Sequence, residues 1–299
     1  MTTDAHTTHT REDEAACVEV IQAGALTTIQ DAGRPGYAHL GVPRSGAADL
    51  ASLRLANRLV GNPADTAALE TTMLGMTVRP RTGRWWAVTG APCQVRVADR
   101  VVSCDQPIYV PAGAVLRVGP AVEGVRTYLA VSGGIAVPAV FGSRATDTLS
   151  GIGPPPVRDG DVLPLGTAAA PPSTVDVVPR PAWPQRPQIR LRLCLRTDWF
   201  TAASVARLAA ASYQVTAHSD RVGVRLAGPA LERTVHEELP SEGMVLGAVQ
   251  VPPDGQPVIL LADHPTTGGY PVVGVVEPDD LWLVAQARPG TEVQFRLIR

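Results

Sequence analysis

Short runs rich in β-branched residues, each ended by a turn, most restrict what this chain can fold into. Five such runs follow one another closely, and glycine and proline, at 28 residues each in 299, interrupt the chain too often for many long helices. Short strands at this spacing are typical of an antiparallel barrel or sandwich, so we predict a mainly β protein. The runs cover residues 85–89, 95–97, 107–110, 115–118 and 127–131.

The chain is long enough for two domains, and a proline-dense stretch divides it. We predict an N-terminal domain over 17–170, a linker over 171–188 and a C-terminal domain over 189–299. Residues 1–16 are polar, and we predict that they form a disordered tail. The spacing Arg-x-Gly-x-x-x-x-Gly that starts at Arg34 in the first half is found again from Arg221 in the second half, which favours two similar domains.

Two helices are predicted among the strands. Asp49 is placed to cap the first, whose apolar residues share one face before Gly61 ends it. The second is predicted from about Trp199 to Ala210, with Asp198 or Thr197 as its cap.

Several classes of protein are excluded by what the sequence lacks. It contains no lysine, so the chain cannot form a Schiff base, contain a P-loop or carry attached biotin. Its net charge of −2 argues against nucleic-acid binding. The sequence has no signal-peptide pattern, no apolar stretch long enough for a membrane span and no histidine pattern typical of a metal site. Its four cysteines form no C-x-x-C pair, so we predict a cytoplasmic protein with reduced thiols and no metal.

Three segments are candidates for binding, and each has a purely structural alternative. The loop 41–49 precedes a helix and is either an anion site, with Ser45 among its residues, or an ordinary capped helix start. The segment 263–271 combines a carboxylate, two hydroxyls and two glycines, and is either a ligand loop or a hairpin turn. Arg221 with Glu242 is either a carboxylate-holding pair or a surface ion pair.

These segments resemble the biotin-dependent carboxyltransferase family, and the match is collinear from about residue 20 to residue 295. The resemblance is carried by residues 27–37 (TTIQDAGRPGY), 41–49 (GVPRSGAAD), 56–62 (ANRLVGN), 69–70 (LE), 241–243 (SEG), 250–257 (QVPPDGQP), 263–271 (DHPTTGGYP) and 285–290 (AQARPG).

The resemblance implies two cyclophilin-like antiparallel β-barrel domains with a few short helices. It also implies a separately encoded partner, a B subunit or an allophanate hydrolase subunit 1-like protein, and an active cleft between the two. The chain is then expected to be the C subunit of an enzyme that also has an A subunit. Together the three use ATP to open 5-oxo-L-proline to L-glutamate. The chain would be inactive alone, ATP would be bound mainly by the partner, and biotin would not be attached to this chain.

Family members have two other uses, which give two alternatives. One is transfer of a carboxyl group from carboxybiotin to urea. The other is not enzymatic: the chain antagonises a partner that inhibits a histidine kinase.

The resemblance also points to individual site residues. Donors aimed at a developing oxyanion are expected in the 263–271 segment, and carboxylates are expected to position a substrate N–H or transfer a proton. The predicted catalytic residues are Asp31, Glu242, Asp263, Thr266 and Thr267, and the predicted substrate-binding residues are Arg34, Tyr37, Ser45, Arg221, Gln250, Gly268, Gly269 and Tyr270. One departure from the family is Pro154–Pro156, three prolines that stiffen a loop the family keeps rich in glycine.

Overall fold

The protein is seen here as a computed structural model that describes residues 16–172, 174, 178, 182–235, 237 and 239–298. The predicted tail at 1–16 lies outside the described residues except for Ala16, and the predicted linker at 171–188 lies partly outside them. The described part is built from short strands and a few short helices, so the mainly β prediction is confirmed. The domain boundaries stay a prediction.

Two antiparallel sheets form the first half of the chain and share one apolar core, to which Val78, Trp86 and Leu129 contribute fully buried side chains. The first sheet has the strand order β11-β1-β4-β9-β6-β7 and the second has the order β2-β3-β10-β5-β8. The strands are β1 (Cys17–Gln22), β2 (Thr27–Gln30), β3 (Ala68–Thr72), β4 (Met76–Pro80), β5 (Arg84–Gly90), β6 (Cys93–Val97), β7 (Arg100–Val102), β8 (Ile108–Val110), β9 (Leu116–Ala121), β10 (Arg126–Val131) and β11 (Val162–Pro164).

A closed barrel forms the second half, with the strand order β12-β19-β16-β17-β14-β13-β20. Six of its pairings are antiparallel, but β12 and β20 run parallel, with Gln188 opposite Gln294. The barrel departs from the expected antiparallel pairing at this junction, because seven strands in a closed ring cannot all alternate in direction. The strands of this half are β12 (Gln188–Leu193), β13 (Ser212–Val215), β14 (Gly223–Ala227), β15 (Glu242–Gly243), β16 (Ala248–Gln250), β17 (Val258–Leu260), β18 (Thr267–Gly268), β19 (Val272–Val276) and β20 (Glu292–Ile298).

The first predicted helix is confirmed as α1 (Leu50–Leu59), where the side chain of Asp49 accepts a hydrogen bond from Ser52 N at 3.0 Å. A third helix, α3 (Leu281–Ala285), was not predicted. The structure also has three 3-10 helices among its described residues, at Ala38–Leu40, Leu195–Trp199 and Pro278–Asp280.

The predicted start of the second helix is wrong. It is α2 (Ala202–Ala210), and its cap is Thr201, whose hydroxyl accepts a hydrogen bond from Ser204 N at 3.1 Å. The predicted caps Thr197 and Asp198 lie in the 3-10 helix Leu195–Trp199 and so precede the cap position of α2. Phe200 is extended and separates the two helices.

Gln286, just after α3, joins the two halves. Its Oε1 accepts hydrogen bonds from Val125 N (2.9 Å) and Arg126 N (2.7 Å), and its Nε2 donates to Asp49 Oδ2 (3.0 Å) and Arg126 O (2.8 Å). This buried amide therefore has all its hydrogen-bonding groups satisfied by the opposite half, which fixes how the barrel sits on the two sheets.

Candidate functional site

The predicted site residues separate into two buried groups and one accessible group. In the first buried group, Arg34 is 1% exposed and its Nη1 donates to Ser45 Oγ at 2.8 Å. Its Nη2 donates to Ala145 O and its Nε donates to Val140 O at 3.4 Å, so all three nitrogens are bonded within the fold. The Ser45 hydroxyl donates onward to Asp147 Oδ2 at 2.6 Å. Sequence reasoning did not select Asp147.

Asp31 joins the 27–37 loop to the segment 140–147, which Arg34 also contacts. Its Oδ1 accepts hydrogen bonds from Ser143 Oγ (2.6 Å) and Gly33 N (2.8 Å), and its Oδ2 accepts one from Arg144 N (2.6 Å). Glycine is required at position 33, because an added Cβ would lie 2.5 Å from Arg44 O at a φ of +82°. The 27–37 motif thus builds a rigid loop in which the carboxylate is bonded inside the protein.

The proline-rich loop starts from this buried group. Asp147 N donates to Ile152 O at 2.9 Å, and Gly153 packs so closely that an added Cβ would lie 2.1 Å from Ala145 O. What Pro154–Pro156 contribute to ligand closure stays a prediction.

The second buried group is centred on Arg221, which is 2% exposed. Its guanidinium bonds Asp263 through Nε (2.9 Å) and Nη2 (3.0 Å), and it bonds Glu70 through Nη1. Its predicted pairing with Glu242 is wrong, because Arg221 precedes β14 and Asp263 follows the adjacent β17, while Glu242 lies in β15. The partner that sequence reasoning missed is Glu70, 151 residues away.

Each charge in this second group is matched by another. Burial lowers the pKa of Arg221, but the carboxylates of Glu70 and Asp263 outweigh burial and raise that pKa. Burial raises the pKa of Glu70, but Arg221 and Arg126 outweigh it, so Glu70 stays ionised. Tyr128 adds a hydrogen bond from its hydroxyl to Glu70 Oε2 at 2.7 Å. The group spans both halves of the chain and is closed to solvent.

The accessible group lies on the two-stranded sheet of β15 and β18, in which Glu242 pairs with Gly268. Glu242 forms an ion pair with Arg196 at the surface. The hydroxyls of Thr266 and Thr267 make no hydrogen bond to any described residue, and the Thr267 side chain is exposed. The predicted residues of this accessible group are Glu242, Thr266, Thr267, Gly268, Gly269 and Tyr270, and the buried Gln250 lies beneath them.

Gln250 supports this group from inside the barrel. Its Nε2 donates to Met244 Sδ (3.2 Å) and Tyr270 O (3.4 Å). A Cβ at position 268 would lie 2.5 Å from that Nε2, so the glycine leaves the space that the Gln250 amide occupies beneath β18. Of the other predicted residues, only Tyr37 joins none of the three groups; its ring packs on Phe141 with centroids 5.1 Å apart.

Two cavities open near these groups. One, of about 1110 Å³, borders the accessible group at Gly269 and Tyr270 and is also lined by Arg233 and Asp254. The other, of about 730 Å³, lies beside α1 and α3, is lined by Trp183 and Trp282, and contains no predicted site residue. The described residues include no cluster of histidine, cysteine or carboxylate side chains suited to a metal ion. They also include no helix with the length and apolar character needed to cross a bilayer.

His264 gives the site a pH-dependent stability. It is buried, and its Nδ1 lies 2.8 Å from Pro265 O. Burial lowers the pKa of His264; the bond to Pro265 O and the nearby Asp147 and Asp263 oppose the shift, while Arg44 adds to it. Because the pKa of His264 is lower in the folded state, protonation favours the unfolded state. The stabilising contribution of the neutral His264 is therefore present above the unfolded pKa and is lost as the pH falls.

We therefore expect the melting temperature of the wild-type protein to fall more steeply than that of His264→Asn as the pH drops below about 6.5. Melting curves from pH 8 to pH 5 would test this, and the comparison cancels every other titrating group. Parallel curves for the two proteins would contradict the assignment.

Residues 40–297 match the family described as "Carboxyltransferase domain, subdomain A and B". This chain belongs to the carboxyltransferase-domain family. The resemblance seen in the sequence is thereby confirmed. The roles of the individual site residues stay predictions.

This carboxyltransferase-domain chain is similar to a 5-oxoprolinase subunit and to urea amidolyases. It is 39% identical to the C subunit of 5-oxoprolinase from Escherichia coli (strain K12), over 93% of this chain and 90% of that protein. It is 33% identical to urea amidolyase of Saccharomyces cerevisiae, over 94% of this chain but only 17% of that protein. The crystal structure of the K. lactis urea amidolyase superposes with a TM-score of 0.90 at 31% identity, covering 97% of this chain and 19% of that one.

Proposed function

We propose that this chain is the C subunit of a 5-oxoprolinase. It acts with the B subunit to activate 5-oxo-L-proline, which the A subunit then opens to L-glutamate. The observation that carries the proposal is the match in both identity and length to the C subunit of the E. coli 5-oxoprolinase, 90% of which is covered at 39% identity. A second relative of the same name, from Haemophilus influenzae, is 32% identical over 91% of its length.

The chemistry of this substrate suits the accessible group. A lactam is a poorly reactive amide, so we propose that water adds to its carbonyl carbon and that ATP phosphorylates the oxyanion so formed. The ring C–N bond then breaks, with a proton passing to the nitrogen, to leave γ-glutamyl phosphate, which a second water hydrolyses. The products are L-glutamate, ADP and phosphate. The hydroxyls of Thr266 and Thr267, with the backbone amides of Gly268 and Gly269, are the proposed donors to the lactam oxygen as its negative charge develops.

The second protein of the complex has two tasks in this proposal. The accessible group lies at the surface, and Thr267 is exposed, so another protein is needed to exclude water from the reaction. The chain has no lysine with which to hold phosphates, so we place ATP mainly on the B subunit. We therefore expect no activity from this chain alone.

A carboxyltransferase component acting on urea is the second candidate. It is favoured by the family match and by the similarity to the K. lactis urea amidolyase fold. Because the residues of this chain include no lysine to carry biotin, the candidate requires biotin attached outside them. Sequence identity ranks it second, since the chain is 34% and 33% identical to two urea amidolyases and 39% identical to the E. coli C subunit.

Reconstitution separates the two candidates. This chain is co-purified with the B subunit, the A subunit is added, and glutamate release from 5-oxo-L-proline is expected only when ATP is present. Omitting this chain should abolish the release, as should omitting the B subunit. A folded, complete complex that releases no glutamate would contradict the proposal; carboxylation of urea with carboxybiotin would then be assayed.

A further inference from the structure

The cavity of about 1110 Å³ next to β18 contains an arginine that no motif identified. Its walls include Asp254 and Gly255 from the 250–257 motif, and Gly269 and Tyr270 from the 263–271 motif. Arg233 also lines this cavity and brings a positive charge to it. Two family motifs and an arginine therefore surround one space that opens beside the proposed oxyanion donors.

Arg233 differs in its bonding from Arg190, Arg196 and Arg221, which lie in the same half. Its Nη2 donates to Val251 O, its Nε is buried without a partner, and its Nη1 makes no hydrogen bond to a described residue. Within the described chain no carboxylate lies within 4 Å of it, whereas Arg190, Arg196 and Arg221 each pair with one. Burial also lowers the pKa of Arg233, and the nearby Tyr270 and Asp254 oppose this shift only in part, as expected of a cation with too little compensation.

The carboxylates around this cavity do not form an ion pair with Arg233. Asp254 Oδ1 accepts a hydrogen bond from Gln256 N at 3.0 Å and so stabilises its own turn. Glu232 and Glu237 also line the cavity, but both are exposed and remain solvated. The bonded edge of Arg233 fixes the guanidinium, and the unbonded Nη1 leaves room for one anionic acceptor.

We propose that Arg233 binds the carboxylate of the substrate and thereby selects a lactam acid over a neutral amide such as urea. This inference rests on the proposed function. In 5-oxo-L-proline the carboxylate is attached to one of the two ring carbons next to the nitrogen, and the other of these carbons is the lactam carbonyl. A carboxylate held by Arg233 therefore directs the lactam carbonyl towards Gly269 and the neighbouring threonine hydroxyls.

The test uses the complete complex and three variants. Arg233→Gln is expected to raise the KM for 5-oxo-L-proline by about 10–100-fold, the usual effect of losing a charged hydrogen bond, with a smaller change in kcat. Arg233→Lys keeps the charge and should recover part of the loss. Arg117→Gln removes an exposed arginine from β9 in the other half and should leave KM unchanged. Urea unfolding of each variant identifies any that fail to fold.

A binding experiment separates this inference from the proposed function. Titration calorimetry on the wild-type complex and on Arg233→Gln compares 5-oxo-L-proline with 2-pyrrolidinone, the same lactam without its carboxylate. A preference for the acid that disappears in Arg233→Gln supports the inference even if no glutamate is formed. Equal binding of the two lactams, unchanged by the substitution, overturns it. If the wild-type complex forms glutamate and Arg233→Gln has the wild-type KM, the inference fails while the proposed function stands.

Discussion

Replacing Arg221 by glutamine is expected to destabilise the folded chain by about 3–5 kcal/mol, the typical cost of removing one partner from a buried ion pair. The side chains of Arg221, Glu70 and Asp263 are each no more than 2% exposed. Without the guanidinium, the Asp263 carboxylate keeps only its bonds from Thr148 N (2.9 Å) and Thr148 Oγ1 (2.7 Å). Glu70 keeps Arg126, so the larger part of the cost falls on Asp263.

Urea unfolding followed by circular dichroism would measure this loss. The matched control is Arg54→Gln, which removes an arginine whose ion pair with Asp65 is exposed and should cost less than about 1 kcal/mol. If the two variants had equal stability, the buried network would not stabilise the joint between the halves.

Much of this fold was predictable from local sequence. The runs at 85–89 and 127–131 lie in β5 and β10 because β-branched and aromatic side chains fit a pleated, half-buried surface. Asp49 begins α1 because a carboxylate at that position satisfies the free amides of the first turn. The start of α2 was missed because Thr197 bonds Val273 O, which is far away in the sequence.

The site was predictable only in part, for a related reason. The motifs identified Arg34, Arg221 and Asp263, but spacing along a chain does not show which side chains the fold buries. Glu70 stood in a recognised motif, yet its role depends on a contact across 151 residues. Arg233 lies outside every motif, and only the cavity around it distinguishes it from a surface arginine.

The hydroxyl of Thr267 is the accessible donor whose removal has the largest expected effect on the proposed reaction. It is exposed on β18, makes no hydrogen bond to any described residue, and lies beside Gly268, whose position Gln250 supports from below. A donor already in place needs little reorganisation when charge develops on the lactam oxygen. Such a donor acts mainly on the transition state and therefore on kcat.

Thr267→Val keeps the shape of the side chain and removes only the hydroxyl, so we expect kcat of the complete complex to fall by about 10²–10³-fold with little change in KM. Steady-state glutamate release would measure both constants. The matched control is Thr77→Val on β4, another strand threonine, which should keep the wild-type rate. A Thr267→Val complex with wild-type kcat would remove this hydroxyl from the mechanism and leave the lactam oxygen to Thr266 and the amides of Gly268 and Gly269. A loss confined to KM would instead make Thr267 a residue that binds the substrate and its transition state equally.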